Sequence, residues 1–377
     1  MSQRIYFDNA ATTPLLPEVI QTIHEIAGTI YGNPSSIHRE GVTAKNLIEE
    51  SRRILSNYLH TSPAQVFFTS CGTESNNMII KSAIKDHHVK TIISSPIEHS
   101  CVLNAINQYA TENNVQVIYL EPNGYGLIDI QELERQLDQC QHPVLVSLMH
   151  TNNELGSTIS LEEISTICKS KNALFHSDTV QSIGLYDLDV ETLQIDFISG
   201  SAHKFFGPKG IGFVYIKNPV ATKPLLYGGS QERNLRAGTE NIIGIAALAK
   251  ALELSTIHRE QRFNHLLQLN QYFRTSLINS NLKMTFNTHE YQFNPKILNV
   301  YFENQSGLEL ILMNLDIHGI AVSAGSACSS GTEKSSHVIE YIRPGSLGKS
   351  IRFSFSHLNT FEEIDYCMNV LKKLLSK

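Results

Sequence analysis

Ser199-Gly200-Ser201-Ala202-His203-Lys204-Phe205-Phe206-Gly207-Pro208-Lys209-Gly210 is the stretch on which the reading of this chain turns. An apolar run, Ile195 to Ile198, leads into it, and another, Ile211 to Ile216, leads out. An ammonium placed between two buried runs loses hydration, which lowers its pKa and frees the amine to form an imine. Taken alone, Lys204 reads as a solvated lysine on a surface loop. The surrounding chain decides between the two.

Four other apolar runs end in the same way. Val66-Phe67-Phe68 runs into Thr69 to Ser75, and Ile92-Ile93 into Ser94 to His99. Val144 to Met149 runs into His150 to Glu154, and Leu174-Phe175 into His176 to Gln181. Near-continuous apolar runs followed by polar clusters and helical patterns predict strands buried on both faces, joined by crossover helices in a largely parallel sheet. In such sheets ligands bind beyond the carboxyl ends of the strands. Thr73, His99, Asn153, Asp178, Gln181, Ser201, His203 and Lys204 all fall just after predicted strands, so the sheet should gather them on one edge.

These residue types describe a cofactor. Gly72-Thr73 at a strand-to-helix turn, with Ser201 and His203, offers N–H groups, hydroxyls and an imidazole to a phosphate. Asp178 suits a protonated ring nitrogen, Gln181 a ring oxygen, and His99 a stacking face. With Lys204 as imine former, the set matches pyridoxal 5'-phosphate, which needs a lysine and an acidic partner for its pyridinium. A nucleotide loop is the competing reading of the glycines, but Gly207-Pro208-Lys209-Gly210 lacks the GxxxxGK[ST] spacing and no GxGxxG opens a helix.

Composition sets the frame. With 377 residues, the chain is long enough for about two domains. At 41 % hydrophobic and 18 % charged it is globular, and a net charge of −6 argues against a dedicated nucleic-acid binder. No apolar run reaches membrane-spanning length and the first residues show no signal-peptide core, so a cytoplasmic enzyme is expected. The six cysteines form no CxxC pair and no zinc spacing, so any that matters acts alone.

Cys328, among the small polar residues of Val322 to Gly331, has the setting of an accessible reactive thiol; an inert surface cysteine is the plainer reading. Cys71 competes with it, since a helix N-terminus lowers a thiol pKa, whereas Cys101, Cys140, Cys168 and Cys367 read as core or edge residues. Arg352, in the strand pattern Ser350 to Ser356, reads either as a carboxylate clamp or as half of a structural ion pair. Beyond Ser255 the βα rhythm gives way to helix and to alternation over Ile297 to Phe302.

Residues 5–14 (IYFDNAATTP), 31–36 (YGNPSS), Cys71 to Ser75, Glu98-His99, Asn152 to Glu154, Asp178 with Gln181, Ser201 to Gly210, Arg236 to Thr239, Gly325 to Gly331 and Ile351 to Ser354 together resemble the cysteine desulfurases, class V, fold-type I pyridoxal-phosphate enzymes. The likeness runs nearly end to end, and around Cys328 it resembles the long-loop group. It implies an α/β fold: a large, mainly parallel sheet domain over 15–254, and a smaller α+β domain built from 1–14 and 255–377. It further implies a homodimer in which Thr239 reaches the partner's phosphate. Asn153 contributes to the cofactor site and, with Arg352, holds the carboxylate of L-cysteine.

The activity implied is conversion of L-cysteine to L-alanine. Lys204 moves the Cα proton, His99 serves the substrate thiol as acid or base, and Cys328 takes the sulfur as a persulfide. The acceptor implied is an iron–sulfur scaffold or a tRNA-thiolation enzyme, with no direct nucleic-acid or membrane contact. Cys71, Thr179-Val180 and Ala202 depart from the usual residues at their positions. A class V aminotransferase, a selenocysteine or sulfinate lyase, and a non-catalytic sulfur carrier or scaffold are the competing readings.

Overall fold

The structure, a computed structural model, describes residues 4–304, 307–325 and 336–375. A seven-stranded sheet carries the order Val66–Thr69, Gly212–Ile216, Phe197–Ser201, Leu174–Asp178, Val144–Ser147, Thr91–Ser94, Gln116–Tyr119. Gly212–Ile216 alone runs against its neighbours; the others are mutually parallel. The five apolar runs are five of the parallel strands. Gln116–Tyr119 escapes the sequence pattern because it is an edge strand, half-buried to exposed along its length.

Side-chain alternation along each strand feeds two cores. On one face Ile92, Leu145 and Phe197 meet Met78, Ile79, Val102 and Ile106 from the helices Gly72–Lys85 and Ser100–Asn113. On the other, Ile93, Val146, Phe175 and Ile198 meet Ile48, Leu55, Leu248 and Leu252 from the helices Arg39–Tyr58 and Ile242–Ile257.

A third core brings the chain ends together. Phe7 packs with Phe273, Phe353 and Phe355, and Ile5–Tyr6 pairs in parallel with Ile320–Ala321. Its sheet is antiparallel, Lys349–Ser354 beside Ile297–Phe302 beside Met284–Phe286. No helix among the described residues is long and apolar enough to cross a membrane.

Where this core meets the large sheet lies a buried cation. Lys296, 7 % exposed, donates from Nζ to the backbone oxygen of Lys204 at 3.0 Å. Burial, then the charges of Lys204 and Arg352, push its pKa down to about 7, with Asp8 opposing. An unfolded lysine titrates near 10.4, so folding expels a proton between those two values, and the cost of burying Lys296 falls as pH rises through that window. Relative to Lys296→Met, the parent protein should therefore gain stability between about pH 7 and pH 9. Urea unfolding of both proteins at the two pH values checks this, and a pH-independent difference would show that Lys296 keeps its ordinary pKa in the fold.

Candidate active site

The strand ends meet in one cavity. Gly72, Thr73, His99, Asn153, Asp178, Gln181, Ser201, His203, Lys204 and Arg352 all line it, although the chain presents them on five separate turns and a distant strand. Lys204 Nζ donates to the carbonyls of Ala10 and Ala11 at 2.7 and 2.8 Å, which fixes where the amine sits. Those two carbonyls belong to the N-terminal segment, a contribution to which the βα pattern gives no clue.

One end of the cavity suits an anion. The helix Gly72–Lys85 opens there, and its N-cap, Cys71, makes no side-chain cap, so first-turn N–H groups lack that partner. A Cβ on Gly72 would come within 2.8 Å of Val180 Cγ2, so glycine lets the helix start approach the neighbouring turn. His203, its Nδ1 3.2 Å from Thr12 Oγ1, has its pKa pushed down to about 3 by burial and by Lys204, Lys296 and Lys209. The same cluster of lysines that discourages a charge on His203 favours an anion beside it.

The other end is acidic and polar. Asp178 accepts from Val180 N at 3.0 Å and from Asn76 Nδ2 at 2.8 Å, which orients its carboxylate. Asn76 stands one helical turn beyond Thr73, a spacing that could have flagged it. Asn76 Oδ1 in turn meets His176 Nε2 at 3.2 Å. Gln181 gives Nε2 to the Ala10 carbonyl at 3.0 Å, and its buried Oε1 is left without a partner. His99 lies close by, its pKa lowered by burial against the attraction of Asp178. Pyridoxal phosphate fits these groups. Orphan N–H donors and a cationic surround face its phosphate, an oriented carboxylate suits its ring nitrogen, and a buried amide has bonding capacity to spare.

Arg352 forms the ion pair that was one of its two readings. It is 1 % exposed, donates from Nη2 to Asp8 Oδ1 at 2.9 Å and from Nη1 to the Asn153 carbonyl at 2.8 Å, and still lines the cavity. Its Nε is buried with no partner. The ion pair thus fixes the guanidinium at the cavity wall.

Three cysteines need placing. Cys71 lines the cavity, as the sequence allowed. Cys101 lines it too and is not the plain core residue its helical pattern suggested; burial and Asp178 push its thiol up to about 12. Cys328 lies outside the described residues. Its flanking residues meet at Glu154. Ser336 Oγ donates to Glu154 Oε2, and a Cβ on Gly325, whose φ is +79°, would come within 2.7 Å of Ser336 Cβ. Glu154 is buried and its pKa is raised by that burial.

Thr239 is not brought to this cavity within the chain. It lines a neighbouring hollow with Ser70, Gly210 and Glu232. Glu232 holds that segment: it accepts two bonds of 2.8 Å from the buried Arg52 and one of 2.8 Å from Phe68 N. Glu232, Arg233 and Asn234 carry φ of 45°, 56° and 68°, three successive left-handed residues that only such anchoring sustains.

The chain matches the family model "Aminotransferase class-V" over residues 5–367. A relative named cysteine desulfurase IscS from Dictyoglomus turgidum is 37 % identical over 100 % of this chain and 96 % of its own length. A solved structure described as a NifS-like protein superposes with a TM-score of 0.91 at 35 % identity, covering 99 % of this chain and 100 % of that one. Another, described as SspA in complex with cysteine, gives 0.81 at 30 % identity over 94 % of this chain and 100 % of the other. By fold and by sequence along its full length, the chain belongs to the class-V aminotransferase family and, within it, to the cysteine desulfurases.

Proposed function

We propose that this chain takes sulfur from L-cysteine with bound pyridoxal phosphate, releases L-alanine, and holds the sulfur on Cys328. The observation that best supports this is Lys204 Nζ, fixed by two carbonyls in a cavity that also holds the Asp178 carboxylate. Pyridoxal phosphate, on which both families depend, supplies a carbonyl for amine condensation and a cationic ring that draws electrons from the substrate carbons.

The chain's own residues divide the remaining work. Gly72, Thr73, Ser201 and His203 hold the phosphate end, and Asp178 keeps the ring nitrogen protonated. Gln181 serves the ring oxygen and His99 covers the ring face. Arg352, aimed by Asp8 and assisted by Asn153, binds the substrate carboxylate. Lys204 Nζ moves the Cα proton. The Cys328 thiolate attacks the substrate sulfur; an S–S bond forms, the C–S bond breaks, and its electron pair stays with carbon, which is protonated to give alanine. His99 manages the proton of the substrate thiol.

Two chains, on this reading, complete each other's site through Thr239, with a division into 15–254 and 1–14 with 255–377. The chain works in the cytoplasm and passes its persulfide sulfur to a protein of iron–sulfur assembly or tRNA thiolation. Aminotransfer is the competing reading: it needs no thiol and yields a keto acid.

Lys204→Ala should fold normally yet lose the visible absorbance of the bound cofactor; an unchanged spectrum would assign the cofactor to another lysine, such as Lys209. Asp178→Asn should slow alanine formation on the order of 10²-fold or more, since charge stabilisation at a reacting centre has that weight, and near-normal turnover would remove Asp178 from the role. Cys328→Ala should keep the cofactor absorbance and its response to L-cysteine but make no alanine. Cys71→Ala should retain most activity. Mass spectrometry should find the persulfide on Cys328 of the parent; a persulfide on Cys71, or full alanine yield without Cys328, would overturn the mechanism.

A further inference from the structure

His99 is the N-cap of the helix Ser100–Asn113, and it caps with an imidazole rather than an oxygen. Its Nδ1 accepts the backbone N–H of Cys101 at 3.2 Å. A backbone N–H can only donate, so this nitrogen must carry the lone pair, and in the neutral ring the proton then sits on Nε2. The Cys101 Sγ lies 3.0 Å from the same Nδ1. Asn76 Nδ2 stands 3.2 Å from that sulfur and 2.8 Å from Asp178 Oδ2. The amide donates to both, and the Thr73 hydroxyl also lies against the thiol; the sulfur accepts from these two donors and turns its own proton toward His99.

We propose that Cys101 is a positioning residue: its thiol, oriented by Asn76, donates to Nδ1 of His99 and holds the ring in the Nε2–H form, so that His99 acts in the site as a hydrogen donor. The inference rests on the reading of His99 as the group above the cofactor ring. It narrows the role of His99 from acid or base to that of a neutral N–H donor. Adding a proton at Nδ1 would set three hydrogens against one another and undo the helix cap.

The surroundings agree. His99 faces Asp178 from the end of one strand, Lys204 from the turn after the next, and His337 from the helix His337–Ile342. Burial is the largest influence and disfavours a charged ring, Asp178 favours one, and Lys204 and His337 side with burial, so the net direction is down. Glu98, the preceding residue, is fully enclosed and its pKa is pushed well above the usual carboxylate range, so it offers little counter-charge. The Cys101 thiol, held up at about 12, stays protonated throughout the working range and keeps its hydrogen to give.

The test compares Cys101→Ala and Cys101→Ser with the parent holoprotein. Nitrogen chemical shifts of ¹⁵N-histidine-labelled protein, with the His99 signals identified by loss in His99→Gln, report both the tautomer and the titration of the ring. The parent and the serine variant should show an Nε2–H ring that resists protonation. In the alanine variant the titration should move up toward the ordinary histidine value, and the acid limb of the kcat/KM profile for alanine formation should move up with it. A His99 signal identical in the parent and the alanine variant would overturn the proposal, because the backbone N–H alone would then suffice. So would an Nδ1–H ring in the parent. Absence of alanine formation in the parent would refute the desulfurase reading alone, since the tautomer is read without turnover.

Discussion

Everything at the site hangs on a six-residue belt, Asp8 to Thr13, that ties the two sheets together. Ala10 and Ala11 give their carbonyls to Lys204 Nζ, and Ala10 also receives Gln181 Nε2. Thr13 bonds to the His203 carbonyl through its N–H at 2.8 Å and receives Phe206 N at 2.7 Å on its hydroxyl. On the other side Ala10 N reaches Ser354 Oγ at 2.9 Å and Asp8 holds Arg352. The amine that would carry the cofactor and the guanidinium that would hold the substrate are thus fixed by one short peptide. Its position depends in turn on the pairing of Ile5–Tyr6 with Ile320–Ala321. A lysine side chain has four rotatable bonds, and two carbonyl acceptors remove most of that freedom before any ligand binds.

The parallel sheet was legible because burial on both faces forces continuous apolar runs, and the ends of those runs announce where polar groups collect. Asp178, Lys204, His99 and Thr73 could be named for that reason, and the cavity holds all four. The belt was not legible as part of the site, since Ala10 and Ala11 act through backbone oxygens and alanine carries no chemical signal. Asn76 sat inside a helix, where an amide reads as a solvated face until its partners are known. Gln116–Tyr119 carries no apolar run because an edge strand buries too little. Thr239 was legible only through resemblance: within one chain it stands at a different hollow, and no spacing rule connects it to Lys204.

Desolvation governs the charges here more than pairing does. It heads the causes for His99, His203, Lys296, Glu98 and Glu154 alike, lowering the bases and raising the acids. A site built this way biases its own groups toward neutrality and leaves charge to what enters it. Asp178 and Arg352 are distinguished by their partners. Each is oriented by hydrogen bonds to neighbouring groups, Asn76 and Val180 for one and Asp8 with the Asn153 carbonyl for the other. Preorganised donors and acceptors of this sort need no reorganisation when charge develops.

Two thiols line the cavity, and chain geometry limits what either can do with a sulfur atom. Cys71 and Cys101 are both tied to helix N-termini, one as N-cap and one as the second helical residue, and neither can travel without unwinding a turn. Cys101 is further spent on His99 and Asn76, and its raised pKa withholds the thiolate that nucleophilic attack requires. Cys328 is three residues from Gly325, a span of roughly 10 Å of extended chain. Gly325 and Ser336 are drawn together at Glu154, the neighbour of Asn153, whose carbonyl holds Arg352. Neither helix-tied cysteine can leave the cavity to meet an acceptor, and that constraint is what supports Cys328 in the role proposed for it.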